Sequence, residues 1–225
     1  MTKPRVVRSV LLAGASGLVG RALLADLLAD EGSHVHALLR LEVADLPASP
    51  RLTRHVIDFA KPGPLPVADE LYIALGTTIK AAGSQAAFRA VDLDAVVNVA
   101  RAARKSGVRR AAVVSALGAD SASAVFYNRV KGEMETALAA LGFERLVIAR
   151  PSLLAGARSA LGQAPRPGER LALALLAPIG ALLPARVRPI DAAVVARAMR
   201  VALRQAGAPT QIIESAALQA LGAAP

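Results

Sequence analysis

The chain has 225 residues and a formal net charge of +10; 54% of residues are hydrophobic, 3% are aromatic, and neither Cys nor Trp occurs. That hydrophobicity excludes a disordered chain, and the length suits one α/β domain over residues 1–225 with a core of Ala, Val and Leu. Without cysteine there are no disulfides, thiol chemistry or Cys-based zinc sites. The cations fall in short scattered clusters (Arg101, Arg104 and Lys105; Arg109 and Arg110) with few aromatics beside them, so no nucleic-acid partner is expected.

Strands and helices alternate along the chain. Residues 6–13 read as a buried strand, 18–30 as a helix with one apolar face, 34–39 and 51–57 as two further strands, and 70–75 as a fourth. Residues 85–106 read as a helix with Gly107 at its C-terminal cap, and 111–115 as a fifth strand. Residues 126–141 read as a helix stopped by Gly142, and 145–149 as a sixth strand closed by Pro151. Near-continuous apolar strands alternating with helices predict a doubly wound parallel sheet, the Rossmann arrangement. Beyond Pro151 the pattern loosens into an apolar stretch at 171–183, a helix from Asp191 and a short strand at 211–214. Residues 151–225 are expected to extend over the carboxyl ends of the strands as a substrate-side wall. The 171–183 stretch is interrupted by Pro178 and is short for a membrane span. No transmembrane segment is expected, and with no signal-peptide pattern at the start the reading is a cytoplasmic protein. His34, His36 and His55 fall near strands without metal-ligand spacing, so no metal site is expected.

Gly14-Ala-Ser-Gly17-Leu-Val-Gly20 joins the first strand to the first helix. Gly14 permits a tight turn, Gly17 lets a pyrophosphate approach the backbone, and Gly20 lets helix and strand pack closely. The free N–H groups around Ser16, Gly17, Leu18 and Val19, at the positive end of the helix dipole, then suit an anion. The second strand ends in Arg40, whose guanidinium suits a ribose 2′-phosphate and favours NADP(H) over NAD, while the acidic Glu42 just beyond counts against that choice. Ser115 ends the fifth strand. Tyr127 and Lys131 lie four residues apart on one face of the next helix. An ammonium one turn away favours an ionised phenol, which suits proton exchange with a substrate oxygen that Ser115 also bonds.

The ordered set Gly14-x-x-Gly17-x-x-Gly20, Ser115 and Tyr127-x-x-x-Lys131 resembles the short-chain dehydrogenase/reductase superfamily. The segments Leu75-Gly-Thr-Thr-Ile-Lys80, Val114-Ser-Ala-Leu-Gly-Ala-Asp120, Phe126-Tyr-Asn-Arg-Val-Lys-Gly132 and Ala149-Arg-Pro-Ser-Leu-Leu154 resemble its atypical branch that includes the Tat-interactive oxidoreductase-like proteins. The resemblance implies Asp58 and Phe59 at the adenine, and Leu75, Gly76 and Thr77 at the adenine-side ribose and pyrophosphate. It implies Pro151, Ser152, Leu153 and Leu154 near the nicotinamide carboxamide, and Lys131 at the nicotinamide ribose. One departure stands out. Where many members carry an Asn supporting a proton path, this chain has Asp92, with Asn98 and Asn128 as the alternatives.

The reading is an NADP(H)-dependent oxidoreductase acting on a carbonyl or alcohol of a small molecule, with Ser115, Tyr127 and Lys131 catalytic. A cofactor-sensing regulatory protein and an epimerase-like isomerase are the competing readings, and a homodimer or a partner protein is compatible with each.

Overall fold

The computed structural model describes residues 7–155, 184 and 186–223. Within them the apolar runs line up as β1 (Arg8–Ala13), β2 (Ser33–Leu39), β3 (Leu52–Val56), β4 (Glu70–Ile73), β5 (Arg110–Val114) and β6 (Arg145–Arg150). A separate short parallel pair, β7 (Leu154–Ala155) and β8 (Ile190–Asp191), precedes β9 (Thr210–Glu214). The main sheet is parallel throughout, in the order β3-β2-β1-β4-β5-β6-β9. The expected doubly wound Rossmann sheet is therefore present. The strand order reverses between β1 and β4, and in open α/β sheets ligands bind at the strands' carboxyl ends at such a switch point.

The central strands are apolar throughout because both faces are covered. Val10 and Leu12 of β1 enter one core with Leu23, Leu24 and Leu27 of α1 (Leu18–Ala29) and with Val195 and Met199 of α6 (Ala192–Arg204). Leu11 and Ala13 enter the other core. Their partners there include Phe88 of α3 (Gln85–Arg89), Val96 and Val99 of α4 (Val96–Lys105), and Val130 and Met134 of α5 (Phe126–Ala139). The helix expected over residues 85–106 is present, but Ala90–Ala95 within it are π-helical. Gly107, at φ +96°, ends it where a cap was read, and Val108 N–H returns to the Ala103 carbonyl at 3.0 Å. Asp191 caps α6 by accepting from Ala193 N–H at 2.7 Å. The short α2 (Ile79–Ala82), α7 (Ser215–Ala223) and the β7–β8 pair carry no strong periodic signal and were not anticipated. The apolar stretch at 171–183 lies outside the described residues, as do residues 156–170, 185 and 224–225 of the substrate-side wall.

At the amino ends of the strands, Glu70 is 1% exposed and sits between two guanidinium groups, 3.2 Å from Arg8 Nε and 3.1 Å from Arg204 Nε. The Tyr72 hydroxyl donates to it at 3.0 Å. Burial, and then the Glu70 charge, push that phenol well above its ordinary pKa. Arg204 also pairs with Asp30 at 2.6 Å and donates to Ser33 Oγ at 3.1 Å. Burial raises the Asp30 pKa, but hydrogen bonds from Arg204, Ser33 and the Gly32 backbone outweigh it and hold the carboxyl well below its usual range.

On β2 and β3, His34 Nε2 lies 2.9 Å from Thr53 Oγ1, and His36 Nδ1 lies 3.0 Å from His55 Nε2. Burial, joined at His36 by the neighbouring imidazoles, lowers the pKa of both His36 and His55. A histidine whose folded pKa is lowered binds more protons unfolded, so its contribution is full above about pH 6.5 and falls as the pH drops below that. Asp30 has the depressed-carboxylate sign: its contribution is full above about pH 4 and is lost on further acidification. A thermal-melting series from pH 8 to pH 3 is therefore expected to step down twice. Substituting Asn for both His36 and His55 should remove only the upper step; if both steps survive, the histidines are not its source.

Candidate functional site

The glycine turn separates into two kinds of position. A Cβ on Gly14, at φ +92°, would lie 2.6 Å from the Ala74 backbone, and one on Gly20 only 1.8 Å from the Gly14 carbonyl oxygen. These two glycines are demanded by the protein's own close packing. A Cβ on Gly17 meets nothing nearer than 3.5 Å, and its φ of −82° is open to any residue. The fold itself does not require glycine there. The N-terminus of α1 has no side-chain cap and no acidic residue in its first turn, so its N–H groups and dipole suit an anion. Arg21 braces the turn from behind: its Nε donates to the Ser16 carbonyl at 3.3 Å while NH2 pairs with Asp45 at 2.6 Å. Leu18 is half-buried and Val19 buried beside it.

The neighbouring strands end at the same edge of the parallel sheet. Arg40 is exposed directly after β2 and makes no hydrogen bond or ion pair among the described residues; Glu42 beyond it is also exposed. After β3, Asp58 turns the chain by accepting from Ala60 N–H at 2.8 Å, and Phe59 packs on the core. After β4 come Leu75, Gly76 and Thr77. Here the departure from asparagine acquires a structure. The π-helical turn directs Asp92, 1% exposed, inward. One carboxylate oxygen lies 2.7 Å from Lys131 Nζ, and the other accepts from Thr77 N–H at 2.8 Å. Lys131 is itself 4% exposed. The alternatives are occupied elsewhere: Asn98 donates to the Ala60 carbonyl at 3.1 Å, and the Asn128 side chain lies against Gly118.

Tyr127 opens α5, half-buried, with its ring 5.4 Å from that of Phe88. The helix seats closely on the preceding loop because residue 132 is glycine; a Cβ there would lie 2.1 Å from Ser121 N. Lys131 follows Tyr127 by four residues, and Glu135 follows Lys131 by four. All three therefore fall on one face. The Ser115 hydroxyl donates to Glu135, whose carboxylate also holds Arg150 at 2.6 Å. Arg150 in turn reaches Glu214 of β9 at 3.1 Å. Hydrogen bonds to Glu135 raise the Arg150 pKa further above its ordinary value. The structure thus joins Tyr127 and Lys131 on one helical face but gives the hydroxyl hydrogen of Ser115 to a carboxylate. Glu135 was missed, although its i+4 spacing from Lys131 was visible. After β6, Pro151 is buried, its carbonyl accepting from Leu117 N–H at 3.0 Å, and Ser152 bonds the Arg188 carbonyl and the Ser215 hydroxyl. The Leu153 carbonyl accepts from Ile190 N–H at 3.0 Å, and Leu154 begins β7. No helix among the described residues is long and apolar enough to cross a membrane.

A model of the NAD(P)H-binding family matches residues 14–154. Over 173 residues the chain is 35% identical to the protein named fmp52, mitochondrial, of Emericella nidulans, covering 73% of this chain and 72% of that one. It is 35% identical over 171 residues to the protein named HTATIP2 of Rattus norvegicus, covering 73% and 69%. Among solved structures, the Bordetella bronchiseptica enzyme WbmF in complex with NAD+ aligns at a TM-score of 0.69 and 15% identity, covering 97% of this chain and 78% of that one. A UDP-glucose 4-epimerase of Thermotoga maritima aligns at 0.67 and 14%, covering 92% and 76%. At such identities these structures speak to fold alone. The expectation of a cytoplasmic protein is corrected: several fungal relatives are named mitochondrial, which points away from it. The chain belongs to the NAD(P)H-binding family, in the branch of short-chain dehydrogenase/reductase relatives that holds fmp52 and HTATIP2.

Proposed function

We propose that the chain is an NADP(H)-dependent oxidoreductase that interconverts a carbonyl and an alcohol on a small molecule. The observation that carries this reading is Tyr127 set one turn from a buried, anchored Lys131, beside a glycine turn whose middle residue the fold itself leaves free. A pyrophosphate would lie against the turn at Ser16, Gly17, Leu18 and Val19; the Gly17 N–H already donates to the Gly14 carbonyl at 3.0 Å, so the N–H groups offered to it are those at the start of α1. Arg40 would take the 2′-phosphate, Asp58 and Phe59 would hold the adenine, and Leu75, Gly76 and Thr77 would hold the adenine-side ribose and pyrophosphate. Pro151, Ser152, Leu153 and Leu154 would hold the nicotinamide carboxamide. The nicotinamide supplies or accepts the hydride when bound. Tyr127 exchanges a proton with the substrate oxygen, and Lys131 offers the ribose hydroxyls the N–H groups that Asp92 leaves over. Ser115 serves as an oxygen anchor only after its hydroxyl turns away from Glu135.

Tyr127→Phe is expected to lower NADPH oxidation on a panel of aldehydes and ketones at least about a hundredfold while leaving NADPH affinity within about twofold. Retained turnover would remove Tyr127 from the chemistry. Arg40→Ala should weaken NADPH about tenfold or more and NADH hardly at all, read by titration. Equal losses for both would mean that Arg40 does not choose the cofactor. A second reading, a protein that reports cofactor occupancy with little turnover, is favoured by one observation, the engagement of Ser115 with Glu135. On that reading, Tyr127→Phe changes nothing.

A further inference from the structure

We infer that Asp92 sets how far the site distinguishes oxidised from reduced cofactor, by cancelling the charge of Lys131. The inference rests on the dinucleotide reading above, with Lys131 at the nicotinamide ribose. Both groups are withdrawn from water, 2.7 Å apart, and among the described residues Lys131 has no other partner. The pair also lies directly under the turn that follows β4. A Cβ on Gly76 would stand 3.3 Å from Asp92 Oδ1 and 4.0 Å from Lys131 Nζ. Burying two charges is costly, and the backbone link at Thr77 N–H needs only a neutral acceptor, such as an amide carbonyl. The negative charge therefore adds one thing that an amide does not: it makes the Lys131 position electrically neutral.

That neutrality matters because the two redox forms of the cofactor differ by one charge at the nicotinamide ring, positive when oxidised and neutral when reduced. A bare ammonium in a poorly screened site repels the oxidised ring and is indifferent to the reduced one. With Asp92 in place the repulsion is cancelled, and the oxidised form is held more nearly as tightly as the reduced form. Asp92 is on this account a positioning and charge-setting residue that acts through Lys131.

The test is the ratio of dissociation constants, NADP+ over NADPH, measured by isothermal titration at pH 7.5 on the full chain. Asp92→Asn should raise the ratio about fivefold, and Lys131→Met combined with Asp92→Asn should return it to within about twofold of the unsubstituted protein. A residue that merely supports the fold would weaken both forms alike, so an unchanged ratio in a folded Asp92→Asn protein overturns the inference. Should that variant not fold, Lys131→Met with Asp92 intact must shift the ratio the opposite way, and failure to do so overturns it equally. If the unsubstituted protein binds neither form, it is the dinucleotide reading that falls.

Discussion

Gly20→Ala is expected to cost about 3 kcal/mol, a drop in Tm of roughly 6–12 °C, while Gly17→Ala leaves Tm within a few degrees and removes most NADPH binding. The two residues sit three apart in one turn, yet their surroundings differ in kind. The added methyl at residue 20 would lie 1.8 Å from the Gly14 carbonyl oxygen and 2.6 Å from its carbonyl carbon. Those are backbone atoms of a turn that is itself pinned against Ala74, so no side chain is available to move aside. At residue 17 the nearest atom is 3.5 Å away and the backbone is already in a conformation open to alanine. Its methyl would stand where an anion must approach the N–H groups of α1. Calorimetry of both variants with and without NADPH separates the effects. Equal destabilisation by the two substitutions would make Gly17 a packing residue and remove the steric argument for a ligand on the turn.

The second large effect belongs to Glu70. Glu70→Ala should lower stability by about 3–5 kcal/mol, because it leaves the Arg204 and Arg8 guanidinium groups and the Tyr72 hydroxyl around a vacated buried site. The exposed pair Arg109–Glu144, at 2.9 Å with side chains 67% and 59% exposed, is the control: Glu144→Ala should leave the urea midpoint unmoved. Its bond length is no worse than those at Glu70; solvent is the difference. If the two substitutions shift the midpoint equally, burial is not what gives Glu70 its weight.

The sheet was legible because its strands are unbroken apolar runs and its turns carry glycine at Gly14, Gly107 and Gly142, where positive φ is needed. Local signals also gave Asp191 as a cap and placed Tyr127 and Lys131 on one face. What stayed hidden depends on contacts between distant segments. Asp92 reads as a substitution within an apolar helix, and only the π-helical turn, which linear periodicity does not encode, brings it to Lys131. Ser115 was read from its place at a strand end, but which way its hydroxyl turns depends on Glu135, twenty residues later. The histidines lack ligand spacing along the chain, yet β2–β3 pairing sets His36 beside His55. In each case the neighbour is supplied by topology.

Arg204 has a consequence for the order in which the molecule is built. It meets Asp30 and Ser33 across more than 170 residues, and Arg200 of the same helix meets Asp26. Leu23, Leu24 and Leu27 share their core with α6 as well. During synthesis the amino-terminal strands and α1 therefore leave the ribosome long before their cover is made. Until α6 emerges, α1 keeps an oily flank and unmatched carboxylates in water, a stage open to capture by chaperones or to self-association. A chain truncated just before Ala192 is thus an unfinished fold, whatever it retains of the glycine turn.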